Sequence, residues 1–336
     1  MPAQRDSAAR RRYRRAVLGG GPPPPDPPAP PLRVLTGTVL DASPHVLALV
    51  TAAGEARLPM TATTTVWHAG RWGSAEPRPG QQALVRMDAA GLAADRVWLD
   101  IGRVTGTILS AGRDMLEVDL GPHRGRARVL LEPRAFQLVQ VRHPRLEPGY
   151  LVDVLCVRSP AGPRAVAPAT SQPGHRADDL ASPAPDAPVP AVTRGTATWC
   201  GWPGAPQTTG MGDGTTFAPG PGGGPPENAV AYPAVEGEGV AGGCGEAPPG
   251  CVPLPLLSVG SGLDVVNDCS GRGAALTVAE CGCVAARFCD RCVECGTSPR
   301  GRIVELGPAA FAALGGDLDA GCFNVTVRWG VEGRPW

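Results

Sequence analysis

One carboxylate in the C-terminal part of the chain is placed where it could do chemistry. Glu280 ends the apolar stretch that begins at Ala274, and two cysteines follow it within three residues. Alternation with a period of two predicts a strand with Leu276, Val278 and Glu280 on one face. A carboxylate that closes a buried strand, with thiols behind it, is the one such arrangement in this sequence.

A second strand and a short helix are predicted at 301–315, and this strand carries Glu305. Pro308 suits the first turn of a helix, and Gly315 suits the left-handed position that follows its last turn. The two strands are the elements that would have to position the candidate carboxylates.

Cysteines are concentrated in the same region, since ten of the 11 lie between Cys200 and Cys322. Such density in a short segment predicts a disulfide-stapled, exported domain, although the connectivity stays open. The ten cysteines predicted to pair are Cys200, Cys244, Cys251, Cys269, Cys281, Cys283, Cys289, Cys292, Cys295 and Cys322.

The loop from Cys281 to Cys295 also allows a second interpretation. Its Cys-x-x-Cys steps suit a zinc or iron–sulfur centre, as in a cytoplasmic metal-binding interaction protein. In a structural zinc ribbon, however, two such pairs are separated by about 15–20 residues, and here they overlap. We therefore favour disulfides, and we predict neither a metal nor another cofactor.

Composition limits the remaining classes of function. The 336 residues carry no net charge, which argues against a nucleic-acid binder. With 46 glycines and 39 prolines, the chain needs linkers between compact parts. No stretch approaches the roughly 18 apolar residues of a membrane span.

The predicted organisation is all-β. Residues 1–32 are expected to form a disordered basic and proline-rich tail, because the arginine run at 10–15 lacks the apolar segment of an export signal. Two small barrels are predicted at 33–101 and 102–158, followed by a linker at 159–191, a Cys-rich barrel at 192–330 and a tail at 331–336.

The two small barrels are predicted to be an internal duplication. The residues Gly37-Thr-Val-Leu40 correspond to Gly106-Thr-Ile-Leu109, and Pro79-Gly80 corresponds to Pro148-Gly149 at the same offset. Their pattern resembles the small OB-like modules of bacterial envelope proteins, which implies spacer or docking units that could contact other envelope proteins. Their tryptophans are expected to pack inside, and Cys156 is expected to be a buried free thiol.

Short motifs in the last domain resemble the rare lipoprotein A family. Gly195-Thr-Ala-Thr-Trp-Cys-Gly201 is similar to that family's opening motif, and Gly212-Asp-Gly-Thr-Thr-Phe217 to its Gly-Glu-x-Phe loop. The segment from Leu254 to Val266, the strands of Glu280 and Glu305, and Asp319-Ala-Gly321 follow in the family's order. The resemblance covers roughly 195–330 and implies a double-psi β-barrel, the fold shared with expansins and barwin.

That resemblance implies an extracellular or envelope protein whose partner is a wall polysaccharide, with peptidoglycan first. It places Glu280 at the family's catalytic Asp, with one methylene more. The family's His falls on Tyr232 or Cys251, and no His follows His175. We therefore expect non-hydrolytic, expansin-like binding, with a lytic transglycosylase that uses Glu280 as general acid as the alternative.

Sugar binding would need an open groove around Glu280 with aromatic rings on its floor. The residues that could supply this groove are Trp199, Trp202, Phe217, Tyr232 and Glu305, although Trp199 is also expected to suit core packing.

Overall fold

The computed structural model describes residues 27–73, 76–121, 124–171, 176, 192–201, 228–235, 254–282 and 301–329. These residues form three β-barrels with two short helices, so the prediction of an all-β chain built from closed barrels is confirmed. None of the helices in these ranges is long and apolar enough to cross a membrane.

The first barrel contains six strands, which are named here in the order of the sequence. They are β1 (Val34–Ala42), β2 (Val46–Thr51), β3 (Gly54–His68), β4 (Arg71–Gly73), β5 (Gln82–Met87) and β6 (Ala94–Leu99). The sheet order is β2-β1-β5-β6-β3-β4, and a β2–β3 pairing closes the ring. The strand β3 runs parallel to β6, and the other neighbours are antiparallel.

The second barrel repeats this arrangement and adds a helix. Its elements are β7 (Ile101–Ala111), β8 (Met115–Asp119), β9 (Arg126–Leu130), α1 (Pro133–Arg142), β10 (Leu151–Val157) and β11 (Arg164–Pro168), with barrel order β10-β11-β9-β8-β7. Apart from the short strand β4, which extends β3 as a hairpin, each barrel has five strands and joins the third and the last of them in parallel, as expected for OB-like barrels.

The duplication is visible in the backbone as well as in the sequence. Thr38 pairs with Val50 in the first barrel, and Thr107 pairs with Asp119 in the second. A bulge follows at the equivalent place in each strand. A Cβ on Gly106 would come within 2.0 Å of the Asp119 carbonyl oxygen, and a Cβ on Gly37 would come within 2.4 Å of the Val50 carbonyl oxygen. Both strands therefore need glycine at this close approach.

Two predicted boundaries are wrong. The strand β11 lies inside the stretch predicted as a linker, and it pairs with β10 because its alternating residues complete the second core. Residues 27–32 are not a free tail: the Ala29 amide donates to the Gly271 carbonyl at 2.8 Å, and the Leu32 amide donates to the Ala313 carbonyl at 2.7 Å. Residues 27–32 are thus bound to the third barrel.

The third barrel has six strands and one helix. They are β12 (Val192–Trp199), β13 (Ala229–Tyr232), β14 (Gly262–Asn267), β15 (Gly273–Cys281), β16 (Arg302–Leu306), α2 (Pro308–Ala313) and β17 (Cys322–Trp329). The closed order is β12-β16-β13-β15-β14-β17. The pairing pattern maps onto itself when every strand is advanced by three: the parallel pair β12–β16 becomes β15–β13, and the antiparallel pair β12–β17 becomes β15–β14.

One apolar cluster contains residues of all three barrels, and each of the two small barrels also has a separate core of its own. Trp98 of the first barrel, Leu155 of the second and Trp199 of the third belong to the same buried cluster. Burial of such large side chains contributes about 1.5–3 kcal/mol each, so separating the barrels would expose a costly surface. The three barrels therefore stabilise one another through this buried contact.

Candidate functional site

Glu280 and Glu305 lie in one row across three neighbouring strands. In β13, Ala231 is in register with Glu280 of the parallel strand β15 and with Glu305 of the antiparallel strand β16. On the far side of β16, Thr198 of β12 is in register with Glu305. Residues in one row of a sheet project from the same face, so the fold brings the two carboxylates together.

A single arginine from the second barrel binds both carboxylates. Arg124, in the turn between β8 and β9, donates from Nη2 to Glu280 Oε1 at 2.7 Å and from Nη1 to Glu305 Oε2 at 2.9 Å. The side chains are 14%, 12% and 2% exposed for Arg124, Glu280 and Glu305. The pair is therefore covered by the neighbouring barrel, and the open groove expected around Glu280 is absent among the described residues.

The charge of Arg124 is secured by its surroundings. Burial alone would lower the pKa of the guanidinium, but the negative charges of Glu280 and Glu305 raise that pKa well above its ordinary value. Arg124 Nε and Thr198 Oγ1 are buried here without a hydrogen-bond partner among the described residues.

Cys200 lies beside this cluster as a free, buried thiol. Burial raises its pKa above the ordinary value, so the thiolate is disfavoured. The prediction that Cys200 forms a disulfide is therefore wrong: the end of β12 is packed inside the body, where its amide donates to the Leu306 carbonyl at 3.1 Å.

Other cysteines of the predicted disulfide set have different outcomes. Cys269 and Cys281 each form a disulfide. Cys322 is buried at the start of β17. The rest lie outside the described residues, namely Cys244, Cys251, Cys283, Cys289, Cys292 and Cys295. The lone thiol Cys156 is free and buried, as predicted.

The aromatic residues predicted to bind sugar do not form a platform. Trp199 is fully buried and its indole N–H donates to the Leu318 carbonyl at 2.9 Å. Tyr232 is also fully buried, and its hydroxyl donates to the Pro255 carbonyl at 2.8 Å. These rings fill the barrel core, so their assignment as sugar-binding faces is wrong. Trp202 and Phe217 lie outside the described residues.

A second buried ionic cluster also joins the barrels, and sequence reasoning missed it. Asp153 of β10 accepts from Arg103 at 2.7 and 2.6 Å and from Arg302 of the third barrel. The hydroxyls of Thr105 and Thr170 complete its shell at 2.9 and 2.6 Å. Burial alone would raise the pKa of Asp153, but the two arginines hold it well below the ordinary value.

This cluster explains why Glu280 has an unexpected partner. Two arginines that lie within 25 positions of Glu280 in the sequence bind elsewhere, since Arg302 binds Asp153 and Arg272 donates to the Pro30 carbonyl. The partner of Glu280, Arg124, is 156 positions away from it. No local pattern in the sequence marks such a contact.

The surroundings of Glu280 favour an ion pair with Arg124 over proton transfer to a substrate. A general acid must carry its proton on a carboxyl oxygen that reaches the substrate. Here Oε1 accepts a hydrogen bond from Arg124, and the second barrel covers the side chain.

No protein-family model matches this chain, and no curated protein sequence matches it significantly.

Proposed function

We propose that the chain is an envelope protein that binds a wall polysaccharide, with peptidoglycan as the first candidate, without cleaving it. Support comes from the order of motifs over 195–330, which resembles that of rare lipoprotein A and expansin-like domains. The repetition of strand pairings after three strands also supports a double-psi barrel, because two interlocked three-strand halves produce that symmetry.

The hydrogen bond from Arg124 to Glu280 carries the non-hydrolytic part of the proposal. It occupies the residue that the resemblance assigns as the acid, and Glu305 is held by the same guanidinium. A Glu at this position also has a longer side chain than the family's Asp, and displacement of a catalytic group by about 1 Å can cost roughly 100-fold in rate. Binding therefore fits the site better than lysis.

The experiment should use the full chain, because the third barrel shares its core with the other two. The protein is incubated with insoluble peptidoglycan, sedimented, and the soluble fraction is analysed by mass spectrometry for 1,6-anhydro sugars. We expect the protein in the pellet and no anhydro product. Absence from the pellet would contradict the proposed binding.

The same experiment separates the alternative. Release of anhydro products by the wild type but not by Glu280→Gln would replace the binding proposal with a lytic transglycosylase. Sedimentation of both proteins without products would retain the proposal.

The envelope location and the disulfides of the Cys-rich segment belong to the same proposal, and their rival is a cytoplasmic metal-binding protein. Native mass spectrometry distinguishes the two interpretations. Loss of two hydrogens per bonded pair supports an oxidised, exported protein, whereas a metal adduct on reduced cysteines supports the rival.

A further inference from the structure

A cleft lined by apolar and charged side chains lies between the first and second barrels, away from Glu280. It has a volume of about 490 Å³ and is bounded by the β3–β4 hairpin on one side and by α1 and β11 on the other. The side chains that matter in its lining are His68, Arg71, Trp72, Arg134, Leu138 and Arg164. A cleft of this size falls within the roughly 300–1,000 Å³ of small-molecule sites.

The lining carries a positive excess, with three arginines against one glutamate. Glu132 is shared with Arg164 at 3.4 Å. Within the described ranges, Arg71 and Arg134 have no carboxylate partner. Two guanidinium groups on opposite walls are therefore available to an anionic ligand, and guanidinium binds carboxylate through paired hydrogen bonds.

An immobilised aromatic ring stands in the same cleft. Trp72 is 38% exposed, whereas Trp67 and Trp98 are buried, and its ring packs edge-on against Trp98 with the ring centroids 6.0 Å apart. Its indole N–H donates to Asp319 Oδ2 at 2.8 Å, and the Arg96 guanidinium carbon lies 5.1 Å from its ring centroid. A ring held in this way loses little freedom when a ligand stacks on it.

The hairpin that carries Trp72 is held firmly as well. Ala69 has a φ of 49° and Gly70 has a φ of 85°, as a tight turn with two left-handed residues requires. A non-glycine residue in this region is uncommon, so the turn is maintained by its surroundings. Gly70 packs on Val166 of β11, where a Cβ would come within 3.3 Å of the valine Cβ. The two walls are therefore fixed relative to each other.

We propose that this cleft binds an acidic sugar unit of a polysaccharide. The C–H face of the sugar ring contacts the exposed part of the Trp72 ring, which Arg96 and Trp98 leave uncovered, and its carboxylate pairs with Arg71 and Arg134. Aromatic faces carry a negative quadrupole that suits polarised C–H groups, and an apolar edge is supplied by Leu138, which is 47% exposed. The proposal rests on the proposed glycan-binding function and assigns it a site that Glu280 does not provide.

The test is calorimetric titration of the full chain with trigalacturonate, and with its methyl ester as the matched neutral probe. We expect the acid to bind and the ester to bind at least about tenfold more weakly. Trp72→Ala and Arg134→Gln should each weaken binding of the acid by about tenfold or more. Arg145→Gln, an exposed arginine of the second barrel outside the cleft lining, should bind as the wild type does.

Several results would overturn the assignment: equal binding of acid and ester, wild-type affinity in both Trp72→Ala and Arg134→Gln, or tighter binding of a short single-stranded oligonucleotide. Arg134 is exposed, so Arg134→Gln keeps the test valid if Trp72→Ala fails to fold. Peptidoglycan sedimentation then separates the two proposals. Undiminished sedimentation of Arg134→Gln, with its trigalacturonate affinity also unchanged, rejects the cleft alone, and trigalacturonate binding without sedimentation of the wild type rejects the peptidoglycan function alone.

Discussion

Glu280 and Glu305 lie on opposite sides of the same residue, Ala231, and share one guanidinium from another barrel. Two carboxylates this close would repel each other in a covered site. Arg124 removes that repulsion and at the same time fastens the second barrel to the third. The position that resembles a catalytic acid has therefore become part of an interface.

Removal of Arg124 should destabilise the whole body. Arg124→Gln leaves two covered carboxylates without a counter-charge, and loss of one partner of a buried pair costs about 3–5 kcal/mol. The free energy of unfolding, measured by urea titration at pH 7, should fall by that amount. Arg126→Gln is the matched control, because Arg126 is 69% exposed and lies 3.9 Å from its partner, so its effect should stay within about 0.5 kcal/mol.

The charge explanation has its own check. Adding Glu280→Gln and Glu305→Gln to Arg124→Gln removes the unpaired carboxylates, so the triple variant should recover part of the lost stability. A triple variant less stable than Arg124→Gln would show that packing, and not charge, sets the loss.

Asp153 should make stability depend on acid pH. Its pKa is held below the ordinary value in the folded protein, whereas the unfolded chain has a pKa of about 3.9. Its contribution is therefore present above about pH 4 and is lost as pH falls towards the folded pKa. Asp153→Asn should cost about 3–5 kcal/mol at pH 7, because Arg103 and Arg302 lose their buried counter-charge.

Urea titrations at pH 7, 5 and 3 test this sign. The difference between wild type and Asp153→Asn should be constant from pH 7 to 5 and shrink by about 1.4 kcal/mol per pH unit below about pH 4. Asp41→Asn, at an exposed site on β1, should show no such trend. A difference that persists unchanged at pH 3 would contradict the assigned role of Asp153.

Much of the strand content could be predicted, because alternation along a strand reports which face is buried. An example is the alternating stretch Gln82-Ala-Leu-Val-Arg-Met87, which has turn residues on both sides and forms β5 (Gln82–Met87) over its whole length. The helix α1 was missed although Pro133 at its start and the buried Ala135 and Val139, four positions apart, are helical signals. The strand β11 was missed because its Pro- and Ala-rich surroundings resemble a linker.

The site could be predicted only in part, for a physical reason. The placement of Glu280 and Glu305 on strands follows from local pattern, but the contact with Arg124 depends on how a turn of one barrel docks on a sheet of another. A pattern along one strand carries no information on which distant turn covers it. Likewise, Trp199 and Tyr232 suit a sugar platform by type alone, whereas the closed barrel places them in its core.

Gly37 and Gly106, where two paired strands approach closely in each small barrel, should not tolerate a larger residue. In Gly106→Ala, the new Cβ would come within 2.0 Å of the Asp119 carbonyl oxygen and 2.7 Å of a Val118 methyl carbon, so the strands must separate. Overpacking of this kind costs about 1–3 kcal/mol, occasionally more. Thermal unfolding should show a lower Tm for Gly106→Ala and for its counterpart Gly37→Ala, whose Cβ would lie 2.4 Å from the Val50 carbonyl oxygen.

Gly73→Ala is the control for that comparison, because a Cβ there would have no neighbour within 4 Å. Its Tm should match that of the wild type. If the Tm of Gly37→Ala and of Gly106→Ala also matches that of the wild type, the close approach of the paired strands does not require glycine at these positions.

Cys156 and Cys200 should be unreactive thiols in the folded protein. Both are buried, so a reagent cannot reach the sulfur atoms. Burial also raises the pKa of each thiol, so the reactive thiolate is disfavoured. Iodoacetamide at pH 8 should leave both unmodified in the native protein and alkylate both in guanidinium chloride without reductant, as read by peptide mass spectrometry. Alkylation of Cys200 only after reduction would mean that it is held in a disulfide and would restore the expectation from the sequence.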